Sequence, residues 1–191
     1  MSRHRLNTFA PEESLEQTLE TALHVATTGI SDAALSDTVS IVASLPPLNA
    51  SYDHTVAPDF ESAYTQYREL IGLQKARVDA FLLETMSNIA EASAGAQALR
   101  DEGVMGAVAF TVSDSDATVL RSGESLEEAI EAVMPFAPDV ILINCSIPEM
   151  VTEGLKIVAM SGVRFGGYAN GFTSVEALVP VSYTHLRAHE T

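Results

Sequence analysis

The sequence predicts a parallel α/β fold, and three observations support that prediction. Short β-rich runs alternate with amphipathic helices along the 191 residues, which is the order that builds a parallel sheet. Two of the runs, "VDAFLLET" at 78–85 and "VILINC" at 140–145, are nearly continuous apolar stretches, as in strands buried on both faces. Polar residues collect where the predicted strands end, and the carboxyl ends of parallel strands share one edge of a sheet.

Helices and strands are predicted in strict alternation. Apolar residues three or four positions apart mark the helices. Ser87 is expected to cap the third helix, and Ser125 with Glu128 forms a capping box at the fourth. Pro148 suits the first turn of the fifth helix. The predicted helices are 14–27, 61–77, 88–101, 126–136 and 148–161, and the predicted strands are 38–44, 78–85, 106–112, 140–145 and 164–170. The stretch 45–58 between the first strand and the second helix reads as a long loop, a kind of segment that often carries function.

Two architectures fit this alternation, a doubly wound sheet and a (β/α)8 barrel. No predicted strand is followed by the G-x-G-x-x-G or G-x-x-x-x-G-K turn of a nucleotide-binding sheet. The polar strand ends match the rim of a barrel, where barrel enzymes build their active sites. Five strands cannot close a barrel, which takes about 250 residues. We therefore predict an incomplete (β/α)8 TIM barrel that contains about strands 3 to 7.

Charge and composition exclude several kinds of partner. The net charge is −16, from 26 acidic and 10 basic residues, which disfavours binding to nucleic acid or to an anionic membrane surface. No apolar run approaches the roughly 20 residues of a membrane span, and the N-terminus lacks the apolar core of a signal peptide. The single cysteine excludes an internal disulfide and fits a reducing cytoplasm.

The segment 181–191, "VSYTHLRAHET", resembles a translated sequencing adapter. His185, Arg187 and His189 cluster there, in a chain that is otherwise poor in both residue types. We predict a partial domain at 1–180 and a non-native tail at 181–191, with a natural basic tail as the alternative.

The strand-end residues are the candidate site. Cys145 follows Asn144 at a strand-to-helix turn, where a thiol is either core filler or part of a site. Glu84, followed by Thr85, closes an apolar run, and a carboxylate there is costly to bury without a partner. It is either an exposed turn residue or the acceptor of a cationic group such as a substrate ammonium. Asn170 lies in the glycine-rich "GGYANGF", where a simple turn asparagine is the alternative. The histidines form neither H-x-H nor H-E-x-x-H, so a histidine-based zinc site has no support.

These segments together resemble the homocysteine S-methyltransferases. The resemblance lies in "VDAFLLETMSNIAEASA", "GAVAFTV", "ILINCSIPEMV" and "GGYANG", with "VASLPPLNASY" similar to the family's third strand and the loop after it. It extends over about 2–180. It implies a homocysteine-binding (β/α)8 barrel with catalytic zinc, in an enzyme that moves a methyl group from an onium or folate donor to homocysteine and forms methionine.

The resemblance also implies roles for single residues. The family holds zinc through three cysteines, and Cys145 corresponds to the first of them. The other two form an adjacent pair after strand eight, which this sequence lacks. Glu84 corresponds to the glutamate that helps to hold the homocysteine amino group, and Thr85, Asn144 and Asn170 are the other expected substrate-binding residues.

The chemistry explains why the ligands matter. Thiols have a free pKa of about 8.5, and the thiolate is the nucleophile. Three thiolates on zinc leave a fourth position for the substrate sulfur, which loses its proton on coordination. Because one of the three ligands is present, we predict that this chain binds zinc weakly and is inactive.

Two other readings stay open. The chain could be a non-catalytic remnant or amino-acid-binding module of the same barrel, in which Cys145 is core. It could also be an unrelated α/β enzyme that uses Glu84 as a general base. Glu84→Gln would mainly weaken homocysteine binding if the chain is a homocysteine methyltransferase. It would abolish turnover at unchanged binding if Glu84 is a general base.

Overall fold

In this computed structural model, residues 2–171 and 174 are described. They form a five-stranded sheet in which each neighbouring pair is parallel and the strands follow sequence order. The strands are β1 (Val42–Leu45), β2 (Ala80–Met86), β3 (Gly106–Phe110), β4 (Val140–Asn144) and β5 (Arg164–Tyr168). A doubly wound sheet reverses its strand order at a switch point, and the described strands show no reversal. The sheet is therefore consistent with part of a (β/α)8 barrel, while its assignment to barrel strands 3 to 7 stays a prediction.

Helices connect each strand to the next. The α-helices of the described region are α1 (Arg3–Phe9), α2 (Leu15–Asp32), α3 (Phe60–Gln74), α4 (Ile89–Asp101), α5 (Leu126–Val133) and α6 (Pro148–Ala159), with short 3-10 helices at His54–Val56 and Met134–Phe136. The Ser125 hydroxyl accepts the Glu128 N–H at the start of α5, as predicted. The prediction of Ser87 as a cap is wrong, because Oδ1 of the next residue, Asn88, accepts the Glu91 N–H at 2.8 Å. Within 2–171, no helix combines the length and the apolar character that crossing a bilayer requires.

Several predicted boundaries move for local reasons. β1 begins at Val42 instead of residue 38, because a turn precedes it in which the Val39 N–H donates to the Leu35 carbonyl at 3.0 Å. β4 ends one residue early, because Cys145 has a left-handed backbone with φ of 50°. The third predicted strand ends at Phe110, the fifth ends at Tyr168, and α2 extends to Asp32.

The core lies between the sheet and the helices. Leu83, Val108 and Ile141 are fully buried there. α4 approaches β2 so closely that a Cβ on Gly95 would lie 2.6 Å from the methyl carbons of Leu83. On the opposite face Leu82 and Leu142 are half-buried, whereas Ala109 is fully buried. The expectation that apolar strands are buried on both faces is thus met on one face and only in part on the other within the described residues, because α3–α6 cover the first face.

Candidate active site

The predicted site residues lie together at the carboxyl edge of the sheet. Glu84 and Thr85 are near the end of β2, Asn144 ends β4, and Cys145 is the next residue. Asn170 follows β5 and donates its backbone N–H to the Ser146 carbonyl at 2.9 Å. The five residues therefore come from the ends of β2, β4 and β5, with β3 between the first two of these strands.

An irregularity in β2 presents two successive polar residues at this edge. The pairing register between β2 and β3 shifts between Leu83 and Met86. Thr85 has a φ of 62°, a conformation that is costly for a β-branched residue. Such irregularities re-aim side chains next to functional sites. The alternation of a regular strand would instead have placed Glu84 and Thr85 on opposite faces.

Asn144 is the hub of the hydrogen bonds. Its side chain is fully buried, and its Oδ1 accepts the backbone N–H of Thr85 at 3.1 Å. Its Nδ2 lies 3.1 Å from Thr85 Oγ1, 3.3 Å from Cys145 Sγ and 2.8 Å from the Tyr168 hydroxyl. One buried amide thus fixes β2 and β5 against β4 at the point where the strands end.

The sulfur of Cys145 is half-buried and surrounded by donors. The Thr85 hydroxyl donates to it at 3.4 Å, the Asn144 amide lies within hydrogen-bonding distance, and the Tyr52 hydroxyl lies nearby. Core filler has no need of three polar neighbours, so Cys145 is a member of the polar cluster. That Cys145 binds metal stays a prediction.

Glu84 belongs to the same network through hydroxyl groups. The Ser44 hydroxyl near the end of β1 donates to Glu84 Oε1, and the Glu84 carboxylate lies close to the Tyr168 hydroxyl. Burial raises the pKa of Tyr168 to about 12, against the effect of the Asn144 hydrogen bond, and the nearby Glu84 and Cys145 charges act in the same direction as burial. Hydrogen bonds therefore run from Tyr168 through Asn144 to Cys145, and Glu84 lies beside the Tyr168 end.

Tyr52 closes the cluster from the loop after β1. Burial first, and then the Cys145 sulfur, raise the pKa of its hydroxyl to about 12. The side-chain nitrogen of Asn170 is buried beside that hydroxyl and lowers the pKa of Tyr52 against these effects. Tyr52 also has a left-handed backbone, with φ of 70°. The long loop predicted at 45–58 thus does reach the strand-end cluster.

Sequence reasoning missed three members of this cluster. Tyr168 lies within the quoted "GGYANG" motif, two residues before Asn170, and Tyr52 lies within the loop that was singled out only as a loop. Arg121, in the segment between β3 and α5, was not singled out. Its Nη2 donates to Asp114 Oδ1 at 2.8 Å, and its side chain is 9% exposed. The available signal was its rarity, since this chain has 10 basic residues against 26 acidic ones.

The described residues do not by themselves fit zinc. A zinc site takes four ligands, or three and an open position. No group of three or more His, Cys, Asp or Glu residues that could hold a metal occurs in 2–171, and the whole sequence contains one cysteine. A site of three cysteines therefore cannot form within one copy of this chain.

Comparisons with known proteins bear on the family and the fold of this chain. A family model described as homocysteine S-methyltransferase matches residues 1–187. The chain is similar to solved structures of the homocysteine methyltransferase MmuM from Escherichia coli. The metallated form has 17% identity and a TM-score of 0.62 over 82% of this chain and 65% of that chain. The oxidized form has 17% identity and a TM-score of 0.61 over 85% and 69%. At this identity the likeness shows the fold, and the match spans about two thirds of the MmuM chain. No curated protein sequence matches this chain.

Proposed function

Because this chain belongs to the homocysteine S-methyltransferase family, we propose that its strand-end cluster binds homocysteine for methyl transfer. β1 to β5 then correspond to strands 3 to 7 of the family barrel. The observation that carries the proposal is the strand-end cluster in which hydrogen bonds join Tyr168, Asn144 and Cys145 and Glu84 lies beside Tyr168. It places a carboxylate and a thiol at one edge, as a substrate with an ammonium at one end and a sulfur at the other requires.

Each residue has a role in this proposal. The Glu84 carboxylate accepts hydrogen bonds from the substrate ammonium, and the Ser44 hydroxyl holds it in place. The substrate sulfur lies near Cys145. Asn144 and Thr85 keep the Cys145 sulfur at a fixed position through its hydrogen bonds. A pre-positioned site of this kind lowers the entropic cost of aligning the thiol with a methyl donor.

The zinc expected of the family would supply the acidity that turns the substrate thiol into a thiolate. This chain contributes one cysteine to the three that the resemblance implies. We therefore propose that the chain alone binds zinc weakly and does not transfer methyl groups. The nature of the methyl donor, onium or folate, lies beyond the residues of this cluster.

The proposed homocysteine-binding domain is 1–180, and the segment 181–191 is proposed to be a non-native tail. The family match continues to residue 187, and this segment lies outside the described residues. A cytoplasmic location accords with the single cysteine.

A second candidate function is favoured by that same count of one cysteine. An amino-acid-binding module would use the Glu84 end of the cluster and would not require a metal. It predicts the same binding of homocysteine, with no turnover under any supply of zinc or donor.

Titration calorimetry with homocysteine tests the proposal on the 191-residue chain. Glu84→Gln should weaken binding about tenfold, because it removes the charge of the hydrogen-bond acceptor. Glu131→Gln, on the exposed side of α5, is the matched control and should bind as the unmodified chain does. Absence of homocysteine binding at millimolar concentration would refute the proposal. Methyl transfer by the chain itself would refute the proposed inactivity, and lost turnover at unchanged binding would favour the general-base role of Glu84.

A further inference from the structure

Arg121 contacts three segments at the carboxyl edge of the sheet. Its Nε donates to Thr111 Oγ1 at 3.0 Å and its Nη2 to Asp114 Oδ1 at 2.8 Å, both in the segment after β3. Nη2 also lies 3.5 Å from the carbonyl oxygen of Cys145, after β4. The guanidinium carbon is 5.1 Å from the ring centroid of Tyr52, in the loop after β1. One side chain therefore connects the loops of β1, β3 and β4.

The turn at Cys145 needs such support. With a φ of 50°, this residue occupies a region that non-glycine residues avoid, and such residues persist where their surroundings fix them. Its N–H donates to the Tyr168 carbonyl at 3.2 Å. Its carbonyl accepts the Thr111 hydroxyl at 3.2 Å and lies beside Arg121. The direction of the sulfur depends on this backbone conformation, because it sets the direction of the Cα–Cβ bond.

We propose that Arg121 is a positioning residue that holds the Cys145 turn and keeps Tyr52 packed against the Cys145 sulfur. The planar guanidinium suits this role. It donates in several directions at once, stacks on an aromatic face, and stays charged where its side chain is 9% exposed. Its ion pair with Asp114 fixes the orientation of the guanidinium plane. Lysine carries the same charge, but its ammonium lacks the planar set of donors that lets one guanidinium bond Thr111 and Asp114 together.

The inference goes beyond homocysteine binding and does not depend on it. Its readout is the accessibility of one sulfur, which can be measured with no substrate, metal or donor present. Failure of the binding experiment above and failure of the experiment below are therefore separate results.

The single cysteine of the chain makes that readout direct. Alkylation rates would be measured on the whole chain with a small reagent, iodoacetamide, and a bulkier one, N-ethylmaleimide. Arg121→Gln should speed the reaction with N-ethylmaleimide about tenfold, because the loss of a charged donor frees Tyr52 and the turn. Arg121→Lys should show an intermediate increase. Arg100→Gln is the matched control, since Arg100 donates to the Pro135 carbonyl at 2.9 Å, away from the strand ends, and it should react as the unmodified chain does.

The two reagents, used together with circular dichroism, separate positioning from a general loss of stability. Global unfolding would also raise the rate with the bulky reagent, so the two rates are compared only in folded variants, where release of Tyr52 favours the bulky reagent over the small one. A rise in the ratio of the two rates, in variants that circular dichroism shows to be folded, supports the proposal. An unchanged ratio in folded Arg121→Gln overturns it. If that variant does not fold, Arg121→Lys decides, and a ratio equal to that of the unmodified chain overturns the proposal.

Discussion

The hydroxyl of Tyr168 lies 2.8 Å from Nδ2 of Asn144, so the last residue of β5 is bonded to the last residue of β4. The same hydroxyl also lies close to the carboxylate of Glu84, which is on β2. Tyr168 therefore bridges two strands that do not pair with each other in the sheet order. This bridge is what turns separate strand ends into a continuous polar site.

Tyr168→Phe removes the bridge and keeps the ring. We expect the affinity for homocysteine to fall about three- to tenfold, because the hydroxyl that is bonded to Asn144 and lies beside Glu84 is lost from the proposed binding site. Titration calorimetry measures the change. Tyr64→Phe is the control, since it removes a hydroxyl bonded to Asp101 at 2.8 Å on the helical side. An equal loss of affinity in both variants would contradict the role given to Tyr168.

Asn144→Leu should be strongly destabilising. Leucine has a similar size, but it leaves the buried N–H of Thr85 without its acceptor, and an unsatisfied buried donor costs about 1–3 kcal/mol. We expect the free energy of unfolding in urea to fall by at least about 2 kcal/mol. Asn7→Leu, at an exposed position of α1, should stay within about 0.5 kcal/mol of the unmodified chain. Similar effects at the two positions would show that Asn144 is not a structural hub.

Gly95→Ala should destabilise the domain, because the added methyl would lie 2.6 Å from the Leu83 methyl carbons. Overpacking of this kind costs about 1–3 kcal/mol. Gly72→Ala is the matched change in α3, where an added Cβ meets nothing within 4 Å, and it should stabilise the domain by about 0.5–1 kcal/mol. Thermal unfolding of both variants checks whether the melting temperature falls for Gly95→Ala and rises for Gly72→Ala. Two melting temperatures that shift in the same direction would refute the packing argument.

Glu91 should make stability depend on pH. Burial, opposed by hydrogen bonds from the Leu48 N–H, the Tyr67 hydroxyl and the Asn88 region, raises the pKa of Glu91 above its ordinary value of 4.5. Between 4.5 and the raised pKa, the folded chain binds more protons than the unfolded chain. The contribution of Glu91 to the free energy of unfolding is therefore fully present below the pKa that Glu91 has in the unfolded chain. That contribution is lost as the pH rises through the pKa that Glu91 has in the folded chain.

Glu91→Gln should remove that dependence, since glutamine can still accept from Leu48 and does not ionise. The difference in unfolding free energy between the unmodified chain and Glu91→Gln, measured in urea from acid to neutral pH, isolates Glu91 from the other carboxylates. The difference should move in favour of Glu91→Gln as the pH rises. A difference that is constant across this range would contradict the raised pKa.

The sequence predicts the element order and the edge of the sheet at which the polar strand ends meet, because apolar periodicity and strand-end polarity are local signals. Glu84, Thr85, Asn144 and Cys145 lie at that edge, and their roles as site residues stay a prediction. Tyr52 and Arg121 are not predicted by these signals, because their places depend on how loops from different strands meet. The shift of register within β2 was also unpredictable, since nothing in "FLLETM" marks Thr85 as left-handed.

The boundaries show the same limit. β4 ends at Asn144 because of the backbone angle of the next residue, and α4 is capped by Asn88 although Ser87 is an equally good capping type. Which of two adjacent polar residues caps a helix is decided by the path of the preceding strand. The burial of one face of the sheet depends on which side the connecting helices cover. Apolar periodicity within a strand does not predict that side.

Thr85, Cys145 and Tyr52 all have left-handed backbones, and glycine would adopt these conformations with little strain. Glycine at any of the three would relax the backbone by about 1 kcal/mol and would at the same time delete a hydroxyl or a thiol from the cluster. The chain thus gives up stability at three positions to retain these functional groups. Selection for heat resistance alone would be expected to find glycine there first, and the stabilised variants would be those in which the Cys145 sulfur has lost its donors or is itself absent.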